Sequence, residues 1–219
     1  MTAENATALR QALVDTCRRM QDSGLVKGTS GNVSVRCGER FLISPTGVPY
    51  EVLQPEHVVE MDFDGGFGGD ILPSSEWRFH RDILATRPEF NAVVHTHSTK
   101  ATAVSILGHD IPAIHYRIAA VGGPDIRCSG YATFGTQELA EQALEAMEGR
   151  RACLLGHHGV IAAHATLDGA FGIATLVEEL AELYLLCLPM GSPPRLAEAD
   201  IAEVIKRHRT YGQQKIRIA

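Results

Sequence analysis

The segment NAVVHTHS (Asn91 to Ser98) places two histidines one residue apart, directly behind an apolar run. Read as a strand over Asn91 to His97, it puts Val93, His95 and His97 on one face, because side chains at i and i+2 point the same way. Two imidazoles on one strand face can converge on one cation, and two neutral histidine nitrogens make half a site for a borderline metal such as zinc. The plainer alternative is a pair of polar side chains on a half-exposed strand. A third ligand must come from elsewhere. His157 in GHHGV is the candidate, on a second apolar strand expected from Ala152 to about Ala162 and flanked by glycines. On a strand His158 points the opposite way, so at most one of the two reaches the same ion from that face.

Around this strand the pattern is that of a layered α/β domain. Ala6, Leu9, Leu13, Cys17 and Met20 recur at helical spacing and predict an opening amphipathic helix that ends near Gly24. Gly28 to Arg36 reads as a small-residue loop entering a strand, with a hairpin turn at 37–39 and a return strand over Arg40 to Ser44. A strand follows at Val58 to Met61, then the turn-rich DFDGGFGGD. Ser74 or Ser75 caps a helix containing Trp77, His80, Ile83 and Leu84. A long helix is expected over Leu167 to Leu188 and a last one over about Ala197 to His208. The βαβ alternation is irregular, which favours a mixed or antiparallel sheet over a doubly wound parallel one. With 219 residues and no Pro/Gly/Ser-rich linker, one domain over residues 1–219 is expected.

The charge balance excludes several partners. Twenty basic against 26 acidic residues give a net charge of −6, with no basic run, so the chain lacks the face that nucleic acid requires. Glu178, Glu179 and Glu182 interrupt the most apolar late stretch, so it is no membrane span. The amphipathic start is not a signal peptide, and the five cysteines lack CxxC spacing. A cytoplasmic protein with reduced thiols is expected.

Glu76 follows Ser74-Ser75 at a helix start. It reads either as a first-turn acid favoured by the helix dipole or as a proton shuttle beside a cation and a carbonyl. Three small polar clusters could bind a phosphate: Gly28 to Asn32, Ser44 to Gly47, and Ser74-Ser75. Neither GxxxxGK[ST] nor GxGxxG after a strand is present, which disfavours a nucleotide.

Together the segments GTSGNVSVR, LISPTGVPYE, LPSSEWRFHRDI, NAVVHTHS, TAVSILGHDIPAIHYRIAAVGG, YATFGT, LLGHHGVIA and TYG resemble the class II aldolase/adducin family. The likeness runs in order from Gly28 to Gly212 and is greatest to its L-fuculose-1-phosphate branch, through IPAIHY, YATFG and TYG. It implies a three-layer α/β/α domain with a central mixed, mainly antiparallel sheet, and a homotetramer with active sites between subunits. The activity implied is metal-dependent cleavage of a ketose 1-phosphate to dihydroxyacetone phosphate and an aldehyde. L-Fuculose 1-phosphate and 5-deoxy- or 5-methylthio-pentulose 1-phosphates are the candidate substrates.

By the same resemblance, His95, His97, His157 and Glu76 hold a Zn2+, with Mn2+ or Co2+ as alternatives, and Glu76 is also the acid/base. Thr29, Gly31, Asn32, Thr46, Gly47, Ser74 and Ser75 form the phosphate site. Tyr116 exchanges a proton with the aldehyde oxygen, and Phe134 and Tyr211 stand at the aldehyde end; Tyr116 and Tyr211 come from the neighbouring subunit. HTHST stands where HNHAV-like sequences are usual, and Gly156 where Gln is common. Two other activities share the family: a pentulose-phosphate 4-epimerase, and adducin-like binding modules that lack the ligands.

Overall fold

The computed structural model describes residues 3–208. Helix α1 (Ala3–Asp22) buries Leu13, Val14, Cys17 and Met20. It ends in a paired cap, Leu25 N–H to Met20 O at 3.0 Å and Gly24 N–H to Gln21 O at 2.9 Å, that satisfies its last carbonyls. Strands β1 (Asn32–Cys37) and β2 (Arg40–Ile43) form the expected hairpin, and β3 (Val59–Asp62) pairs with β2. Helix α2 (Trp77–Thr86) leads to β4 (Ala92–Thr96), which is buried along its whole length.

Helix α3 (Thr99–Ile106), the short ribbon of β5 (Ile111–Pro112) and β6 (Asp125–Ile126), and helix α4 (Gln137–Ala146) follow. None of these four was expected from the sequence. The chain then forms β7 (Ala152–Leu155), β8 (Gly159–His164), α5 (Leu167–Cys187) and α6 (Glu198–His208).

Six strands make one sheet in the order β3-β2-β1-β4-β8-β7, and every adjacent pair is antiparallel. One isolated parallel bridge, Cys128 to Leu154, flanks it. Alternation along each strand divides the interior into two layers. Ala92, Val94, Leu154, Val160 and Ala162 face the core built with α1, α5 and α6. Val93, Cys153, Leu155, Ile161 and Ala163 face the one built with α2 and α4. This is the three-layer α/β arrangement. Among the described residues, no helix is long and apolar enough to cross a membrane.

Two local expectations are corrected. The apolar stretch from Ala152 to Ala162 is a hairpin rather than one strand, because Gly156 to His158 form a turn between Leu155 and its partner Gly159. Neither serine is the residue that precedes α2; Glu76 is. Ser74 still contributes, its Oγ accepting from the Glu76 N–H at 3.3 Å and its carbonyl accepting from the Trp77 N–H at 3.2 Å.

Candidate metal centre

The end of β4 carries His95 into the layer that contains α2, where it is fully buried and edge-on to Phe79. Its Nδ1 lies 2.9 Å from the Val160 carbonyl. A carbonyl only accepts, so Nδ1 carries a proton and the ring turns Nε2 outward. That Nε2 sits 2.9 Å from His97 Nε2 and 3.2 Å from Glu76 Oε2. The turn after β7 brings His158 into the same group, its Nε2 3.2 Å from Glu76 Oε1.

The three imidazoles stand edge to face, with centroids 4.8–4.9 Å apart and planes crossing at 75–78°. Close packing there depends on Gly159: a Cβ on it would fall 2.3 Å from the Thr96 carbonyl and 3.0 Å from the His97 ring.

One donor atom from each of Glu76, His95, His97 and His158 lies within 4.8 Å of all the others. Ligand atoms around a tetrahedral zinc stand about 3.3 Å apart for bonds of roughly 2.0–2.1 Å, so the set is close to bonding size. Glu76 Oε1 is buried and without a hydrogen-bond partner, since its approach to His158 lacks the required geometry. Burial, with His95 and His158 alongside, pushes the His97 imidazole down to about 3, so it is neutral at pH 7. Burial raises the Glu76 carboxyl, but His95 and His158 outweigh it and hold the group well below the usual carboxylate range. Three imidazole nitrogens, a carboxylate and an orphaned oxygen suit a divalent cation.

The sequence assignment of His157 to this cluster is overturned. His157 takes a left-handed backbone (φ 56°), is exposed, and faces Tyr131 with ring centroids 6.3 Å apart. A turn does not alternate as a strand does, and this one sends His158 inward and His157 to the rim. Two histidines bracketed by glycines were the sequence signal for such a turn.

Behind the cluster runs a chain of buried polar groups. Asn32 Nδ2 donates to Glu76 Oε2 at 2.9 Å, its Oδ1 lies 2.5 Å from His80 Nε2, and His80 Nδ1 lies 2.7 Å from Ser34 Oγ. Burial, with His95 nearby, pushes His80 down to about 3. His80 went unremarked as a site residue, although its place four residues after Glu76 on a helix signals a shared face.

The three small-residue loops expected to bind phosphate are neighbours. Ser44 Oγ accepts from the Val33 N–H at 3.1 Å, the Ser74 N–H donates to the Ser44 carbonyl at 3.0 Å, and the Thr46 N–H donates to the Leu72 carbonyl at 3.1 Å. Gly31, at φ 117°, would place a Cβ 2.9 Å from the His95 carbonyl, so this loop presses on the metal strand. Thr29, Thr46, Gly47 and Ser75 are exposed, while Asn32 and Ser74 are buried.

Ser75, Glu76, His97 and His158 share a cavity of about 280 Å³ with Tyr131, Ala132, Phe134 and His157. Phe134, assigned to the aldehyde end by resemblance, lines this cavity, and Tyr131 and Ala132 of the same segment join it. Tyr116 does not. It lines a separate cavity with Arg151 and His164, at the opposite end of β8 from His158. Five strand steps of about 3.3 Å put the two ends roughly 17 Å apart. Tyr211 lies outside the described residues.

Residues 11–185 match the family model for the class II aldolase and adducin N-terminal domain. A 5-methylthioribulose-1-phosphate/5-deoxyribulose-1-phosphate aldolase of Rhodospirillum rubrum is 51% identical, over 94% of this chain and 93% of its own. An L-fuculose phosphate aldolase of Escherichia coli K12 is 50% identical, over 93% of this chain and 95% of its own. A solved L-fuculose 1-phosphate aldolase superposes with a TM-score of 0.89 at 36% identity, covering 95% of this chain and 98% of its own.

Proposed function

The chain belongs to the class II aldolase and adducin family, and on that premise we propose that it is an aldolase cleaving a ketose 1-phosphate between C3 and C4 to dihydroxyacetone phosphate and an aldehyde. The observation that carries this reading is the convergence of Glu76, His95, His97 and His158, all but the buried His95 lining one cavity.

Those four residues would hold a divalent ion, zinc by its preference for nitrogen donors, with manganese or cobalt as alternatives. When bound, the ion supplies Lewis-acid stabilisation of negative charge on the ketose oxygens. In the direction of synthesis, the charged Glu76 carboxylate removes a proton from C3 of dihydroxyacetone phosphate. The electron pair left at C3 forms the bond to the aldehyde carbon, and the aldehyde oxygen gains a proton. Cleavage runs these transfers backwards.

Tyr116 is the proposed partner for the aldehyde oxygen. Its distance from Glu76 within one chain, and its exposure, fit delivery by a neighbouring subunit in a homotetramer. Tyr211 is assigned to the same neighbour by family resemblance alone. The phosphate would sit against Thr29, Gly31, Asn32, Thr46, Gly47, Ser74 and Ser75, whose loops meet beside Glu76. Asn32 keeps one amide hydrogen for it beyond the one given to Glu76.

L-Fuculose, 5-deoxyribulose and 5-methylthioribulose 1-phosphates all release aldehydes with an apolar end. The aromatic rim of Tyr131 and Phe134 suits such a tail. A single domain over residues 1–219 in the cytoplasm completes the reading.

The test is a cleavage assay of these three ketose 1-phosphates with zinc-replete protein, following dihydroxyacetone phosphate. Release from at least one of them is expected. A C4-inverted pentulose phosphate in its place would make the protein an epimerase, and a chain that retains no divalent ion would be a binding module.

A further inference from the structure

His80 is fully buried one layer behind the metal cluster, and the aldolase chemistry above gives it no task. Its two ring nitrogens are both engaged, at 2.5 Å with Asn32 Oδ1 and at 2.7 Å with Ser34 Oγ. Burial keeps the His80 ring neutral, and a neutral ring leaves two arrangements of hydrogens that satisfy this chain. In one, His80 Nε2–H donates to Asn32 Oδ1, Ser34 donates to the bare Nδ1, and the Asn32 amide turns its N–H end to Glu76 Oε2. In the other, Nδ1–H donates to Ser34, Nε2 accepts from Asn32, and the amide turns its carbonyl oxygen to Glu76 Oε2 at 2.9 Å. Two oxygens at that separation with no proton between them repel, so the charged carboxylate selects the first.

From this geometry we propose that His80 is a positioning residue that locks the Asn32 amide with its N–H end toward Glu76, and so fixes where the acid/base carboxylate stands. Asn and Gln amides are free to flip unless a neighbour decides their sense. Among the described residues, the neighbour that decides the sense of the Asn32 oxygen is the His80 N–H. The same lock directs the second amide hydrogen, the one proposed for the substrate phosphate. His80 therefore serves both halves of the site without touching substrate.

The inference rests on the aldolase reading for its catalytic consequence but not for its hydrogen-bond sense. That sense is testable alone, by long-range 1H–15N NMR of the histidine side chains in the protein as purified. His80 is expected as the Nε2–H tautomer, opposite to His95, whose Nδ1–H faces a carbonyl. An Nδ1–H tautomer at His80 overturns the proposal whether or not the protein is an aldolase.

Two variants test the consequence. His80→Phe keeps a ring of similar volume and removes the donor; kcat/KM for cleavage falls by about 10–100-fold, the usual cost of losing a group that orients a site residue. His80→Gln packs less well but returns an N–H near the Nε2 position, and recovers most of that loss. The reverse order, Phe active and Gln inactive, would mean that the site needs only the volume and would sink the idea. If the parent protein releases no dihydroxyacetone phosphate, the aldolase reading falls, while the tautomer still decides the lock.

Discussion

His157 and His158 are chemically identical neighbours, and only backbone geometry assigns them different work. His158 joins the cluster at 3.2 Å from Glu76, while His157 lies across from Tyr131. His158→Ala therefore weakens metal retention by more than about 100-fold, beyond what losing a group behind a ligand costs. His157→Ala keeps the ion. Metal content after dialysis measures both, and loss of the ion from His157→Ala in place of His158→Ala would show that the turn is wrongly drawn.

His80 also carries a pH signature. It protonates near 6.5 when unfolded and near 3 when folded, so between those values the unfolded chain binds more protons. Stability thus rises with pH across that window and is lost as pH falls from about 6.5 toward 3. Each unit of separation is worth about 1.4 kcal/mol. His80→Gln lacks this proton, so its urea midpoint is expected to depend less on pH than that of the parent. Parallel profiles for the two proteins would contradict the shift.

At the scale of elements, α3 shows why some structure escapes a sequence reading. It has only eight residues, rich in threonine and β-branched side chains, and its N-cap Ser98 makes no side-chain cap hydrogen bond. Its free N–H groups are taken by Glu178 of α5, which accepts from Lys100 at 3.0 Å and Ala101 at 2.9 Å. A cap supplied from a distant helix leaves no local pattern. Helix α4 needs no such help, since Thr136 caps it and Leu139, Ala140 and Ala143 repeat at helical spacing, a local signal that the sequence reading left unused. Glu178→Ala removes the α3 cap and is expected to cost about 1–2 kcal/mol, read from urea unfolding. A change within a few tenths would mean that solvent replaces the carboxylate.

At the scale of the whole molecule, two apolar layers share one sheet. Cys17 is buried in one and Cys153 in the other, and burial pushes both thiols well above their usual range. Neither thiol is expected to react with iodoacetamide in the native protein, because the thiolate is the reactive form. Strands contributing side chains to both layers couple them, so both cysteines become alkylated at the same urea concentration. Labelling of Cys153 well before Cys17 would show that the layers unfold separately.

The chain's own pattern settles what repeats locally. Apolar spacing gives α1 and α5, the 37–39 turn gives the first hairpin, and alternation puts His95 and His97 on one face with Val93. The ordered motifs identify the family, and family resemblance picked out Glu76. Tertiary structure decides what depends on a turn or on a partner far along the chain: that His158 rather than His157 points inward, that Glu178 caps α3, and that His80 stands behind Asn32. Spacing encodes direction only while the backbone repeats. Where it turns, the direction of a side chain follows from the φ and ψ of single residues, which packing against other segments selects.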